Sequence, residues 1–174
     1  MMNIAVRSDD RFATVDGLNI RYLEEGSGVP AILLHGASLG SSADVFRRNL
    51  KALGANGIRA IAFDLPGFGK SDATDDLSAG YKKKIVLKFM DALKLKDVVL
   101  VGHSWGCHDA YAYFRAFGTD NVKGYVCLDQ SPKDIMEKDG DWGSLRNAID
   151  FKGFYEGIAY NRVAATHEFL QGMS

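Results

Sequence analysis

Cysteine is scarce: Cys107 and Cys127 are the only two among 174 residues, each inside an apolar segment, with no CxxC and no Cys/His metal spacing. That argues against a disulfide framework and against a zinc-ribbon type of site, and both thiols are expected to be reduced and packed. Excess charge is also lacking. With 21 basic and 22 acidic residues the net charge is −1, so no global field draws in nucleic acid or an anionic membrane. No uncharged run approaches membrane-spanning length, and Arg7, Asp9, Asp10 and Arg11 interrupt the N-terminus before a signal-peptide core can form. The expected partner is a small-molecule substrate, not nucleic acid or a membrane, and the expected compartment is the cytoplasm. No internal repeat or low-complexity tract is present, and neither phosphate cradle is found: no GxGxxG follows the early strands, and PGFGKSD (66–72) lacks the GxxxxGK[ST] spacing.

What is present is an ordinary globular composition, 47% apolar and 25% charged, enough for one good core. FATVDGLNIRY (12–22) alternates around Asp16-Gly17, the pattern of a two-strand hairpin with a tight turn. AILLH (31–35) is a short apolar run suited to a strand buried on both faces. DVFRRNLKALG (44–54) places Val45, Leu50 and Leu53 near helical spacing and stops at Gly54. The scheme repeats with a strand at 58–64, a turn at 66–72, and a helix carrying Ile85, Phe89, Ala92 and Leu93, whose Lys82–Lys84 cluster reads as its solvated face. DVVLVG (97–102), a helix over 104–117 and GYVCLD (124–129) complete the series. Alternating strands and helices at this spacing predict a mostly parallel sheet with helices on both faces. After Pro132 the chain turns charged and glycine-rich, then helix-like over 154–172, as a cap that leaves the sheet would.

Gly102-His103-Ser104-Trp105-Gly106 fits GxSxG, with a buried strand before it and a helix after it. A serine hydroxyl attacks a carbonyl only when a base takes its proton, so it must stand where an imidazole and a substrate both reach it. A sharp strand-to-helix turn puts it there, and the Trp105 N–H at the helix start faces the same space. The competing reading is a glycine-rich turn without chemistry. His35-Gly36-Ala37 ends the 31–35 strand in an open turn that can present a second N–H, while DLPGFGKSD (64–72) reads as a structural loop, Asp64 and Ser71 included.

HGAS, DLPGFGKS and GHSWG, in this order, resemble the α/β-hydrolase family over roughly residues 12–132. The resemblance implies a doubly wound α/β-hydrolase sheet with an N-terminal hairpin, with Ser104 as nucleophile. It also implies Trp105 and Ala37 as oxyanion donors with Gly36 allowing their approach, and a cap starting at residue 133. No metal and no organic cofactor is implied. Serine at 104 points to the esterase, lipase and amidase side, and makes haloalkane dehalogenases and epoxide hydrolases the weaker match.

The family's chain order is nucleophile, acid, histidine, and the residues after Ser104 offer few candidates. His103 should point away from the hydroxyl, and His35 should bond to backbone. His108 lies about one turn, roughly 6 Å, down the helix, and His167 sits in the expected cap. Asp129, ending the 124–129 strand, is either a turn former or the acid that orients an imidazole. The chain therefore reads as the N-terminal portion of such an enzyme, truncated before its last strands. Its sheet edge would be covered by self-association or by a complementing C-terminal fragment. Two functions stand at this point: a serine hydrolase of small esters, thioesters or amides, and a non-catalytic scaffold or binding module of the same fold.

Overall fold

The computed structural model describes residues 7–38, 40–76 and 79–130. Its first elements are β1 (Arg11–Val15) and β2 (Leu18–Glu25), antiparallel across the Asp16-Gly17 turn. Both turn residues have positive φ, 55° and 83°, which matches the twist of the flanking strands. Then come β3 (Val29–Leu34), α1 (Arg47–Ala55), β4 (Ile58–Phe63), α2 (Ala79–Ala92), β5 (Val98–His103), α3 (Trp105–Phe117) and β6 (Val122–Leu128). The sheet order is β1-β2-β4-β3-β5-β6. β4, β3, β5 and β6 run parallel, and β2 joins them antiparallel through β4. The expected α/β-hydrolase sheet, mostly parallel with an N-terminal hairpin, is the one observed. β4 and β5 flank β3, so the chain reverses its direction of winding there, the place at which open α/β sheets bind ligands beyond the carboxyl ends of their strands.

Period-two alternation divides the core into two layers. Ile32 and Leu34 of β3, with Ile61 and Phe63 of β4, face α2 and α3. Ala31, Leu33, Ala60 and Ala62 face the opposite way, and the three alanines let Phe46 and Leu50 seat close to the sheet. Phe63 stacks on Phe89 of α2 with ring centroids 4.1 Å apart, and both are fully buried. Each such ring contributes about 1.5–3 kcal/mol relative to exposure.

Two helix expectations are corrected. The segment after Ser42 enters as a 3-10 turn, Ala43–Phe46, capped by the Ser42 hydroxyl accepting from the Asp44 N–H, and α1 begins only at Arg47. A 3-10 turn holds three residues per turn, so the apolar phase shifts: Phe46 goes inward and Val45 is 53% exposed. In α2 the buried stripe is Ile85, Val86, Phe89 and Met90, while Ala92 faces solvent. Lys84 is solvated as expected. The side chains of Lys82 and Lys83, the boundary near Pro132, the cap from 133 and the helix over 154–172 lie outside the described residues.

One polar cluster was not anticipated. Arg21 on β2 is fully buried and pairs with Asp10, Asp44 and Asp64 at 2.6, 2.9 and 3.1 Å. Asp64 also accepts the Ala43 and Lys70 amides at 2.7 and 2.8 Å. Gly69 has φ 52°, and a Cβ there would lie 2.1 Å from Asp64 Oδ2, so the loop can pass the carboxylate only as glycine. Ser71 Oγ donates to the Asp64 carbonyl at 2.7 Å and accepts the Arg21 N–H at 2.9 Å. Asp64 and Ser71 are thus structural, as expected.

Burial alone would raise the Asp10 and Asp44 carboxyls. Hydrogen bonds from the Arg7 amide, Lys70 and Arg21 to Asp10, and from Arg21 and Arg47 to Asp44, outweigh burial and hold both below the ordinary 3.8. Groups depressed in the folded state stabilise it above their unfolded pKa and cease to do so as pH falls. Wild-type urea stability should therefore decline as pH drops below about 4. Arg21→Ala, which leaves carboxylates buried without their cation, should lose about 3–5 kcal/mol at neutral pH; a loss under about 1 kcal/mol by urea titration contradicts the assignment.

Candidate active site

β5 stops at His103 and α3 starts at Trp105, leaving Ser104 alone at the corner with φ 52° and ψ −121°. A side-chain-bearing residue costs on the order of 1–3 kcal/mol in such a conformation and persists only where its surroundings over-determine it. Here they do. The Ser104 N–H donates to the Leu128 carbonyl at 2.9 Å, and the Ser104 carbonyl accepts the Cys107 N–H at 3.0 Å. The flanking glycines permit the close approach: a Cβ on Gly102 would stand 2.6 Å from the Cys107 Cα, and one on Gly106 2.2 Å from the Leu34 carbonyl oxygen. Although Ser104 occupies the N-cap position, its hydroxyl makes no capping bond. Among the described residues the half-buried hydroxyl has no hydrogen-bond partner.

The end of β3 leans on this corner. A Cβ on Gly36 would sit 3.3 Å from the Ser104 Cβ and 3.6 Å from its Oγ, so Gly36 brings bare backbone beside the hydroxyl. Fully buried His35 uses both ring nitrogens on backbone: Nε2 lies 3.0 Å from the Leu65 N–H, and Nδ1 2.6 Å from the Gly36 carbonyl. A nitrogen that accepts from an amide carries no proton, so Nδ1 holds the hydrogen and donates it to Gly36. Burial pushes His35 below its ordinary pKa, in keeping with a neutral ring. Among the described residues no cis peptide occurs, and across a trans peptide C=O and N–H point oppositely. Fixing the Gly36 carbonyl on His35 therefore turns the Ala37 N–H away from that ring. Neither the Ala37 nor the Trp105 N–H has an acceptor among the described residues. Ala37 also borders a cleft of about 470 Å³ lined by Ser38, Ser41, Phe68 and Lys70, of which Ser104 is not part.

Asp129 directly follows Leu128, whose parallel partner on β5 is His103. It therefore stands next to Ser104 at neighbouring strand ends, exposed and with φ 53°. Its carboxylate has no partner among the described residues. The histidines are placed elsewhere. His103 packs edge-on to Phe46, with ring centroids 6.5 Å apart, on the α1 side of the sheet. His108 hydrogen-bonds the Gln130 side chain and tilts against Trp105 at 5.1 Å. No hydrogen bond joins any described imidazole to Ser104, and His167 lies outside the described residues. The structure thus gathers Ser104, Trp105, Gly36, Ala37 and Asp129 at one end of the sheet. What sequence reasoning missed is the Leu128 carbonyl as the anchor of the corner, because strand pairing leaves no local mark.

A family model for the alpha/beta hydrolase fold matches residues 30–163. "Epoxide hydrolase 2" of Siraitia grosvenorii is 39% identical over 119 residues, 66% of this chain and 36% of that protein. An esterase from Exiguobacterium antarcticum superposes with TM-score 0.78 at 27% identity, over 91% of this chain and 59% of that one. A bromoperoxidase from Bacillus anthracis gives TM-score 0.77 at 28% identity, over 92% and 58%. The chain thus spans about a third of that curated relative and somewhat over half of the two solved structures. Epoxide hydrolases, expected to be the weaker match, are among the similar proteins.

The glycine contacts give a direct check. Gly106→Ala should push α3 off β3 and lower urea stability by about 1–3 kcal/mol or more. Gly124→Ala, whose Cβ would meet only Val99 methyls at 3.8 and 3.9 Å, should change it by less than about 0.5 kcal/mol. Equal effects of the two would contradict the packing described.

Proposed function

The chain belongs to the α/β-hydrolase family, and from that membership we propose that Ser104 is the nucleophile of an acyl-transfer reaction on a small ester, thioester or amide. The observation that carries this reading is the left-handed corner at Ser104, with its hydroxyl unengaged, Gly36 backbone against it, and the Ala37 and Trp105 amides without acceptors among the described residues. A serine in that conformation and off the N-cap bond does nothing for the fold that alanine would not do. Its placement makes sense as chemistry.

In the proposed reaction an imidazole takes the Ser104 proton as Oγ attacks the substrate carbonyl carbon. The carbonyl oxygen becomes an oxyanion held by the Ala37 and Trp105 N–H groups, with the α3 dipole favouring the charge. Collapse breaks the bond to the leaving group, which departs with the proton from the imidazolium. Water, activated by the same base, then hydrolyses the acyl-serine ester. Asp129 would orient the imidazole from the end of β6. One amide donor of this kind is worth on the order of 10²–10³ in kcat.

The imidazole itself is proposed to come from outside the described residues, since His35, His103 and His108 are all engaged elsewhere. β6 forms one edge of the described sheet and leaves Val126 and Leu128 42% and 40% exposed. A C-terminal segment or a second copy covering that edge would bring further strand ends next to Asp129. This is our proposal for the partner.

Chemistry also separates an ester from an epoxide, the substrate in the names of several relatives. A carboxylate that opens an epoxide forms an ester, which water can cleave. A serine alkoxide would form an ether, with no carbonyl for water to attack, and the site would be blocked after one event. Ser104 therefore favours acyl substrates.

A fluorophosphonate probe tests the reading, applied with and without millimolar imidazole as a stand-in base. Labelling should fall on the Ser104 peptide, rise with imidazole and vanish in Ser104→Ala. An epoxide should give at most one covalent adduct per chain and no diol turnover. If neither condition labels Ser104 while a control serine hydrolase reacts, the chain is a scaffold of the fold and the proposal fails.

A further inference from the structure

Behind the corner lies a pair of nucleophilic atoms that the proposed reaction does not use. Cys107 stands in the first turn of α3, with its Cα packed over Gly102, and is buried. Cys127 stands on β6 opposite Gly102 in the parallel register, and is exposed. Of the two packed thiols expected from sequence, only Cys107 is packed, because β6 is an edge among the described strands. The sulfurs are 3.4 Å apart. Cys107 Sγ donates to the Gly102 carbonyl at 3.1 Å, and Cys127 Sγ faces the Gln130 carbonyl at 3.3 Å and receives the Tyr111 hydroxyl at 3.5 Å.

We propose that Cys107 and Cys127 form a modification site for peroxide, closing to an intrachain disulfide that staples the base of the Ser104 corner. Their separation of 3.4 Å is van der Waals contact between sulfurs, and closing to a bond near 2.05 Å needs roughly 1.4 Å of approach. Cys127, exposed while the β6 edge is uncovered, reacts first. Its thiolate attacks one peroxide oxygen, the S–O bond forms, the O–O bond breaks, and the departing hydroxide leaves as water with the thiol's proton. Cys107 then attacks the Cys127 sulfenic sulfur, the S–S bond forms, the S–O bond breaks, and a second water leaves with the Cys107 proton. Two thiols lose two electrons and two protons, and one hydrogen peroxide becomes two waters.

The local electrostatics suit this order. Burial raises the Cys107 thiol. For Cys127, burial acts upward as well, but donation from the Tyr111 hydroxyl and its other hydrogen bonds outweighs it and favours the thiolate. The cross-link would join the two segments that hold Ser104, because Cys107 N–H binds the Ser104 carbonyl and Leu128, next to Cys127, binds its N–H. The pair stands independently of whether Ser104 is catalytic.

The test exposes the full chain to hydrogen peroxide, counts thiols after denaturation and maps a non-reducing digest. The two free thiols should fall to none, with a 107–127 linked peptide two hydrogens lighter than its parts and restored by dithiothreitol. Under the same exposure Cys127→Ser should keep its one remaining thiol, and Cys107→Ala should lose its thiol without forming an intrachain link. Disulfides only between chains, sulfinic acid on Cys127 beside an intact Cys107, or no thiol loss where a control dithiol closes would each overturn the proposal.

Discussion

Everything at the carboxyl end of this sheet depends on one backbone conformation, the left-handed turn at Ser104. L-residues avoid that region because the Cβ crowds the backbone, and serine has no conformational exemption. It is kept there from three sides: the Leu128 carbonyl on β6, the Cys107 amide in α3, and the near-contact of Gly102 and Gly106 with backbone that any side chain would displace. The strain is local while its supports come from β3, β5, β6 and α3, so the corner forms only when those elements are assembled.

The Arg21 cluster plays the matching role where β2 meets the end of β4. It ties the chain before β1, the 3-10 turn after β3 and the loop after β4 to a single buried guanidinium. Those segments, with the His35 bond to the Leu65 amide, set the path of the chain through Gly36 and Ala37. Stability and site geometry are therefore coupled through the same turn.

Much of this was legible in the sequence because its causes are local. Asp16-Gly17 demands a tight hairpin, the apolar runs at 31–35, 58–64 and 97–102 have the length of buried strands, and glycines on either side of Ser104 announce a close turn. What stayed hidden arises between distant residues. An arginine in a strand reads as surface until Asp10, Asp44 and Asp64 are seen converging on it. Val45 and Ala92 were assigned by an ideal helical period that a 3-10 entry and the true α2 stripe displaced. The sulfur contact between Cys107 and Cys127 follows from strand register, which spacing along the chain does not encode. The likeness to an epoxide hydrolase runs over 119 residues, well beyond the short motifs that stand out along the chain.

The most direct measurement is a crystal structure of the chain carrying a covalent phosphonate on Ser104. The account predicts the phosphonyl oxygen about 2.7–3.1 Å from both the Ala37 and Trp105 nitrogens, with the Ser104 backbone unchanged. A phosphonyl oxygen turned to solvent, or a Ser104 relaxed out of its left-handed conformation, would contradict it.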